Sequence, residues 1–99
     1  MNFLHTEFHG IEGDMALVTL DAQANVMLLD DANFNAYQHG TDFNYLGGWA
    51  TTSPVRLVVP RAGHWHVVVD LGEGSGRVQA SIQLIQRSVS GRATAASDR

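Results

Sequence analysis

The sequence predicts an all-β fold: an antiparallel β-sandwich of the jelly-roll kind, or a partly open barrel, with about seven or eight strands and one short helix. Short apolar segments alternate with turn residues along most of the chain, which is typical of sandwiches and barrels. Residues 77–83 alternate strictly between polar and apolar side chains, as a strand with one buried face does. After the pair Asp30-Asp31, the aromatic side chains of Phe34 and Tyr37 have the spacing of a helix.

Three strands are predicted in the first third of the chain. Residues 2–8 mix polar and apolar side chains, which favours an edge strand. Residues 15–20 are apolar on both faces, so we expect a central strand that is covered from two sides. After a turn at residues 21–24, the strand pattern resumes over residues 25–29.

The helix is predicted over residues 32–38. A carboxylate of Asp30 or Asp31 can cap the free amide groups of its first turn and suits the positive end of the helix dipole. Phe34 and Tyr37 are three residues apart, so they lie on one side of the helix, and Gly40 suits its C-terminal cap. We expect this aromatic pair to pack over an open end of the sheet.

The remaining strands lie in the second half of the chain. Trp65 is expected to point into the core, because side chains alternate along a strand and its neighbours at the same spacing are apolar. Leu84 is expected to continue the inward row of the last strand. The predicted segments are residues 49–52, 54–59, 64–71 and 77–84.

The chain of 99 residues fits a single domain, which we place at residues 1–86. Within it, the glycine-rich residues 72–76 predict a flexible turn. Residues 87–99 carry little apolar surface to offset the entropy of ordering, so we predict a disordered C-terminal tail.

Composition excludes several classes of protein. The net charge is −4, all six cations are arginines, and three of those lie in the last 13 residues, so we expect no nucleic-acid partner. The absence of cysteine excludes disulfides, thiolate metal sites and a cysteine nucleophile. No signal peptide or apolar membrane span is found, so no membrane partner is expected and a cytoplasmic location is predicted.

The segment from Gly63 to Asp70 holds the densest set of polar side chains. Alternation places His64 and His66 on one face of the strand, about 6–7 Å apart, where two imidazoles could ligate one metal ion. Further ligands would have to come from the histidines at positions 5, 9 and 39. We favour the alternative, in which both imidazoles face solvent or bond to a neighbouring strand, and we expect no metal and no cofactor.

A second set consists of aromatic side chains close together in sequence. With the intervening amides and carboxylates, their flat faces could hold a sugar ring or a peptide side chain. The alternative, which we favour, is that they cap the small core. The set comprises Phe34, Tyr37, Phe43, Tyr45 and Trp49.

Several segments together resemble a known family. They include residues 23–37, residues 53–57 and above all Gly-His-Trp-His-Val-Val-Val-Asp at residues 63–70. Over about residues 1–86 the chain is similar to the bacterial domain-of-unknown-function family 1883. That family also occurs joined to TIR domains, which implies an accessory or sensing role, and it implies no catalytic residue.

Function is therefore predicted only at the level of class. We expect a non-catalytic module that binds a protein or a small polar ligand, with Tyr37, Phe43, Tyr45, Trp49, His64 and His66 as candidate binding residues. The chain has no Gly-x-Ser-x-Gly elbow and no phosphate-binding loop, so we expect no enzyme. The alternative is a small metal-dependent enzyme that uses His64 and His66.

Overall fold

The computed structural model describes residues 3–71 and 78–86. These residues contain seven strands and one helix. In chain order they are β1 (Phe3–Gly10), β2 (Met15–Leu20), β3 (Ala24–Asp30), α1 (Asp31–His39), β4 (Leu46–Ala50), β5 (Val55–Val58), β6 (Gly63–Asp70) and β7 (Ala80–Ile85). They form a four-stranded sheet in the order β1-β6-β3-β4 and a three-stranded sheet in the order β5-β2-β7. All pairings are antiparallel. The predicted all-β sandwich is confirmed, and these strands do not close into a barrel.

The main core lies between the two sheets. Apolar side chains of β2 and β5 meet those of β3 and β6 there, and Trp65 is only 3% exposed in this layer. The prediction that Trp65 points inward is confirmed. The fully buried members of the core include Val18, Val26 and Val67.

The strands that are covered from both sides are β3 and β6, not β2. In β2, Ala16 and Val18 are buried, whereas Met15 and Leu17 on the opposite face are only half-buried. In β6, every residue from Trp65 to Asp70 is buried. Residues 15–20 do form the central strand of their sheet, as predicted. The expected cover on both faces was wrong, because apolar side chains on both faces of a strand do not show which face receives a covering layer.

Helix α1 supplies that layer for the four-stranded sheet. Its Phe34 packs with Met27, Leu29 and Val68 on the outer face of the sheet, so it does not cover an open end as we expected. The caps are as predicted: Asp30 accepts from the backbone of Asn33, and Gly40 has the left-handed conformation, at φ 74°. This helix, within the described residues, is too short and too polar to cross a bilayer.

The last strand follows its predicted alternation with one difference. Val78, Ala80 and Ile82 pack against the main core, as expected. Leu84 lies opposite Ala16 and so keeps the inward register, but it is 44% exposed at the end of an edge strand. The predicted turn at residues 72–76 and the predicted tail at residues 87–99 lie outside the described residues.

The Asp30 cap gives a first testable expectation. Its Oδ1 accepts hydrogen bonds from the backbone N and the side-chain Nδ2 of Asn33, at 2.9 and 2.8 Å, and Arg61 lies 2.8 Å from Oδ2. These contacts, the backbone bond of Asn33 above all, lower the pKa of Asp30. Replacing a capping aspartate by alanine costs about 1 kcal/mol, so we expect Asp30→Ala to lower the free energy of unfolding by roughly that amount at neutral pH.

Chemical denaturation at several pH values checks this expectation. A carboxyl whose pKa is lowered by folding stabilises the protein above its unfolded-state pKa, and this contribution is lost as the pH falls through its folded-state pKa. The difference between the variant and the unchanged protein should therefore shrink at acid pH. Asp42→Ala, at an exposed position beyond the helix, is the control and should have little effect. A pH-independent difference would contradict the assignment of the cap.

Candidate functional site

A cluster of histidines and carboxylates lies on the outer face of the four-stranded sheet. The register of β1 against β6 pairs Glu7 with His66 and His9 with His64. Because paired residues of antiparallel strands point to the same side, β1 places three polar side chains beside the two histidines of β6. They alternate along the strand as His5, Glu7 and His9.

Helix α1 adds a carboxylate to this cluster. Strand β3 ends beside the histidines, with Leu29 paired to His66, and the helix begins directly afterwards at Asp31. Asp31 Oδ1 lies 2.6 Å from Nε2 of His66 and 2.7 Å from Nδ1 of His64. Of the predicted carboxylate pair, Asp30 is therefore the cap and Asp31 reaches the site.

Two further contacts connect β1 to the same imidazoles. His5 Nε2 lies 2.8 Å from Nδ1 of His66, and Glu7 Oε1 lies 3.0 Å from Nε2 of His64. Both ring nitrogens of His66 and both of His64 therefore have a partner. His9 lies against the ring of His64, with a distance of 4.7 Å between the ring centroids.

One arrangement of hydrogens satisfies all of these contacts. An ionised carboxylate only accepts, so Asp31 requires a hydrogen on Nε2 of His66 and on Nδ1 of His64. A neutral His66 then accepts at Nδ1 a hydrogen from His5. His64 satisfies Asp31 and Glu7 together only with hydrogens on both nitrogens, as an imidazolium. The cluster in this form holds one positive charge between two carboxylates.

Stacking on Phe34 holds two of the imidazoles in one orientation. The rings of His5 and His66 each lie 4.3 Å from the Phe34 ring, centroid to centroid, and are nearly parallel to it. Between themselves they are nearly coplanar, at an angle of 14°, so they meet edge to edge through their nitrogens. The ring of His66 is thus covered on its face by Phe34 and contacted at both edges.

Burial differs between the two histidines that the sequence pointed to. His66 is 6% exposed, and His64 is half-buried. The interpretation that both face solvent is therefore wrong for His66, because helix α1 covers this part of the sheet. The second half of that interpretation, a bond to the neighbouring strand, holds for His66 through His5 and for His64 through Glu7.

The surroundings favour the ionised form of Asp31 and the neutral form of His5. Hydrogen bonds from His66 and His64 lower the pKa of Asp31. Burial, followed by the positive charge that His66 can carry, lowers the pKa of His5, and the charge of Glu7 partly opposes this effect. An anionic Asp31 and a neutral His5 are both suited to bind a cation.

The other end of β6 carries a separate buried network. Asp70, 4% exposed, accepts from the hydroxyl of Tyr37 at 2.6 Å and from Nδ2 of Asn25 at 3.1 Å. Burial, together with the bond to the negatively charged Asp70, raises the pKa of Tyr37. The structure therefore uses this predicted binding residue to attach the helix to the sheet.

The remaining candidate aromatics do not join the histidine cluster. Phe43 contacts Tyr37 and Tyr45, with centroid distances of 5.4 and 5.5 Å. Trp49 lies on the edge strand β4 opposite Asn25, and it is 52% exposed. Phe34, Tyr37 and Phe43 pack on the outer face of the four-stranded sheet rather than over the core between the sheets, whereas Tyr45 and Trp49 remain exposed.

A cleft of about 310 Å³ lies at the end of β3, away from the cluster. Asp30, Arg61 and Trp65 line it, and it also includes the exposed Tyr45. Arg61 bonds to Asp30 at 2.8 Å, and its guanidinium carbon lies 4.9 Å from the centroid of the Trp65 ring. The histidines at positions 5, 64 and 66 do not line this cleft.

Glu7 and Asp31 belong to the cluster but were not among the site residues predicted from the sequence. A signal for Glu7 exists: the spacing of His5, Glu7 and His9 places all three side chains on one face of a strand. No comparable signal marks Asp31, since its position depends on where β3 lies relative to β6. Of the histidines named as possible further ligands, His5 and His9 are near the pair, whereas His39 bonds to Asn35 at the far end of the helix.

Fold and site together define a small β-sandwich with one helix-covered face that carries a histidine–carboxylate cluster. The chain belongs to the family described as Domain of unknown function (DUF1883), whose family model matches residues 1–88. The resemblance seen in the sequence is thereby confirmed. No curated protein and no solved structure matches the chain significantly.

Proposed function

We propose that the chain is a non-catalytic binding module whose ligand is a divalent transition-metal ion held by Asp31, His64 and His66. One observation carries this proposal: three ligand atoms, contributed by a strand and by the helix beside it, lie within 4.8 Å of one another. Two imidazoles and a carboxylate are a donor set that zinc and its neighbours accept. We call these three residues the helix-side triad.

Two of the distances in the triad are shorter than a bound ion requires. Tetrahedral bonds of about 2.0–2.2 Å place ligand atoms roughly 3.3 Å apart, whereas Asp31 Oδ1 lies 2.6 and 2.7 Å from the two nitrogens. Asp31 is 67% exposed, so its side chain is free to turn outward by that amount. The ion would place a positive charge beside the two carboxylates of the cluster, Asp31 and Glu7.

The alternative of a metal-dependent enzyme has one observation in its favour, since the triad faces solvent on the side of Asp31. Against it, the cleft of about 310 Å³ is lined by other residues, so it does not bring a substrate to the triad.

The charge of the chain argues against a nucleic-acid partner, because ten carboxylates stand against six arginines. No membrane partner is proposed, and the cytoplasmic location stays a prediction.

Titration of the full chain, prepared without an affinity tag, with Co²⁺ and Zn²⁺ tests the proposal. We expect saturable binding, with the visible absorption of four-coordinate Co²⁺ that Zn²⁺ abolishes. Asp31→Ala should weaken binding at least about tenfold, because it removes a ligand at an exposed position. His39→Ala is the matched control, since it removes a histidine outside the cluster, and it should bind as the unchanged protein does.

Two results would contradict the proposal. One is the absence of saturable binding to the folded protein. The other is an equal loss in Asp31→Ala and His39→Ala, which would indicate nonspecific binding to surface histidines. Circular dichroism of each variant establishes that it is folded.

A further inference from the structure

His66 belongs to two groups of potential ligands at once. Besides the helix-side triad, the side chains of His5, Glu7 and His66 also place their ligand atoms within 4.8 Å of one another. We call this second group the edge-side triad, because β1 is an edge strand. Nε2 of His66 faces the helix side, toward Asp31, and Nδ1 faces the edge side, toward His5.

We propose that the cluster binds two divalent transition-metal ions, one in each triad, bridged by the imidazolate of His66. This inference rests on the proposed function, because it adds a second ion to the site proposed above. Metal–nitrogen bonds of about 2.0–2.1 Å to both nitrogens of one imidazole place the two ions roughly 6 Å apart. Each ion also has its own carboxylate, Asp31 on the helix side and Glu7 on the edge side.

The orientation of His66 suits a bridge. Phe34 covers one face of its ring at a centroid distance of 4.3 Å, and His5 meets it edge to edge at an angle of 14°. The ring is 6% exposed, so both nitrogens face protein ligands and little solvent. A ligand ring held in this way presents both nitrogens without a further change of its orientation.

The ligands also balance most of the charge of two ions. Glu7, Asp31 and an imidazolate together offset three of the four positive charges of two divalent ions. When the second ion binds, the hydrogen that remains on His66 leaves to solvent as a proton, and no electron is transferred. His64 contributes Nδ1 to the helix side, at 2.7 Å from Asp31, and its contact with Glu7 is given up when Glu7 turns to the second ion.

Titration of the tag-free full chain with Cu²⁺, followed by electron paramagnetic resonance and by native mass spectrometry, tests the bridge. We expect two ions per chain. The first equivalent should give the signal of isolated Cu²⁺, and the second should reduce that signal, because an imidazolate couples two copper spins antiferromagnetically.

Variants on each side of His66 separate the two triads without removing its buried ring. Glu7→Gln, at an exposed position, should keep the first ion and weaken the second at least about tenfold. His39→Ala should keep both ions and the loss of signal. One ion per chain, or two ions with an undiminished signal, would overturn the bridge and leave the proposed function standing. No bound ion would overturn both.

Discussion

Replacing Trp65 by alanine is expected to lower the free energy of unfolding by about 3–5 kcal/mol, as large-to-small changes of buried aromatics do. The indole is 3% exposed and packs in the core between the sheets. Its Nε1 donates to the backbone oxygen of Arg61 at 3.0 Å, so the variant also leaves that carbonyl without its donor. The expected loss is a large share of the total free energy of unfolding of a small domain, which is roughly 5–15 kcal/mol.

Trp49→Ala is the matched control, because it makes the same substitution at a position that is 52% exposed. Exposed substitutions usually change stability by no more than about 0.5 kcal/mol. Chemical denaturation of both variants and of the unchanged protein gives the comparison. Similar losses in the two variants would mean that the core does not lie where β6 places Trp65.

Alternation along β6 was enough to predict which side chains face the core. Side chains along a strand point alternately to its two faces, so one buried tryptophan determines which face each of the remaining side chains points to. The environment of the other face was not predictable in the same way. His66 is buried because α1 turns back over the sheet after β3, and that direction depends on the packing of Phe34, which is far from His66 in sequence.

The candidate site was predictable only in part for a related reason. His64 and His66 share one strand, so their spacing is local and could be read from the sequence. Asp31 lies 35 positions from His66 in sequence and reaches it through the pairing of β3 with β6. Its neighbour Asp30 has the same residue type, and the sequence does not say which of the two caps the helix.

The second large loss of stability is expected for a substitution at Gly47, which lies in the edge strand β4. Its φ angle is +108°, in a region that glycine occupies readily and other residues rarely adopt. A Cβ at this position would lie 2.1 Å from the backbone oxygen of Val26 and 3.2 Å from Cδ2 of Leu57. The oxygen belongs to β3, which is paired on both sides, so it cannot move away without disturbing the four-stranded sheet.

Gly47→Ala is therefore expected to lower the free energy of unfolding by at least about 3 kcal/mol, since backbone strain of roughly 1–3 kcal/mol adds to the displacement of β4 from β3. Gly48→Ala separates the two contributions. Gly48 also has a positive φ, of +147°, but a Cβ there meets nothing within 4 Å, so only the strain applies. Denaturant unfolding of both variants decides between them: if Gly48→Ala proves as damaging as Gly47→Ala, the close approach of β4 to the Val26 carbonyl does not exist in solution.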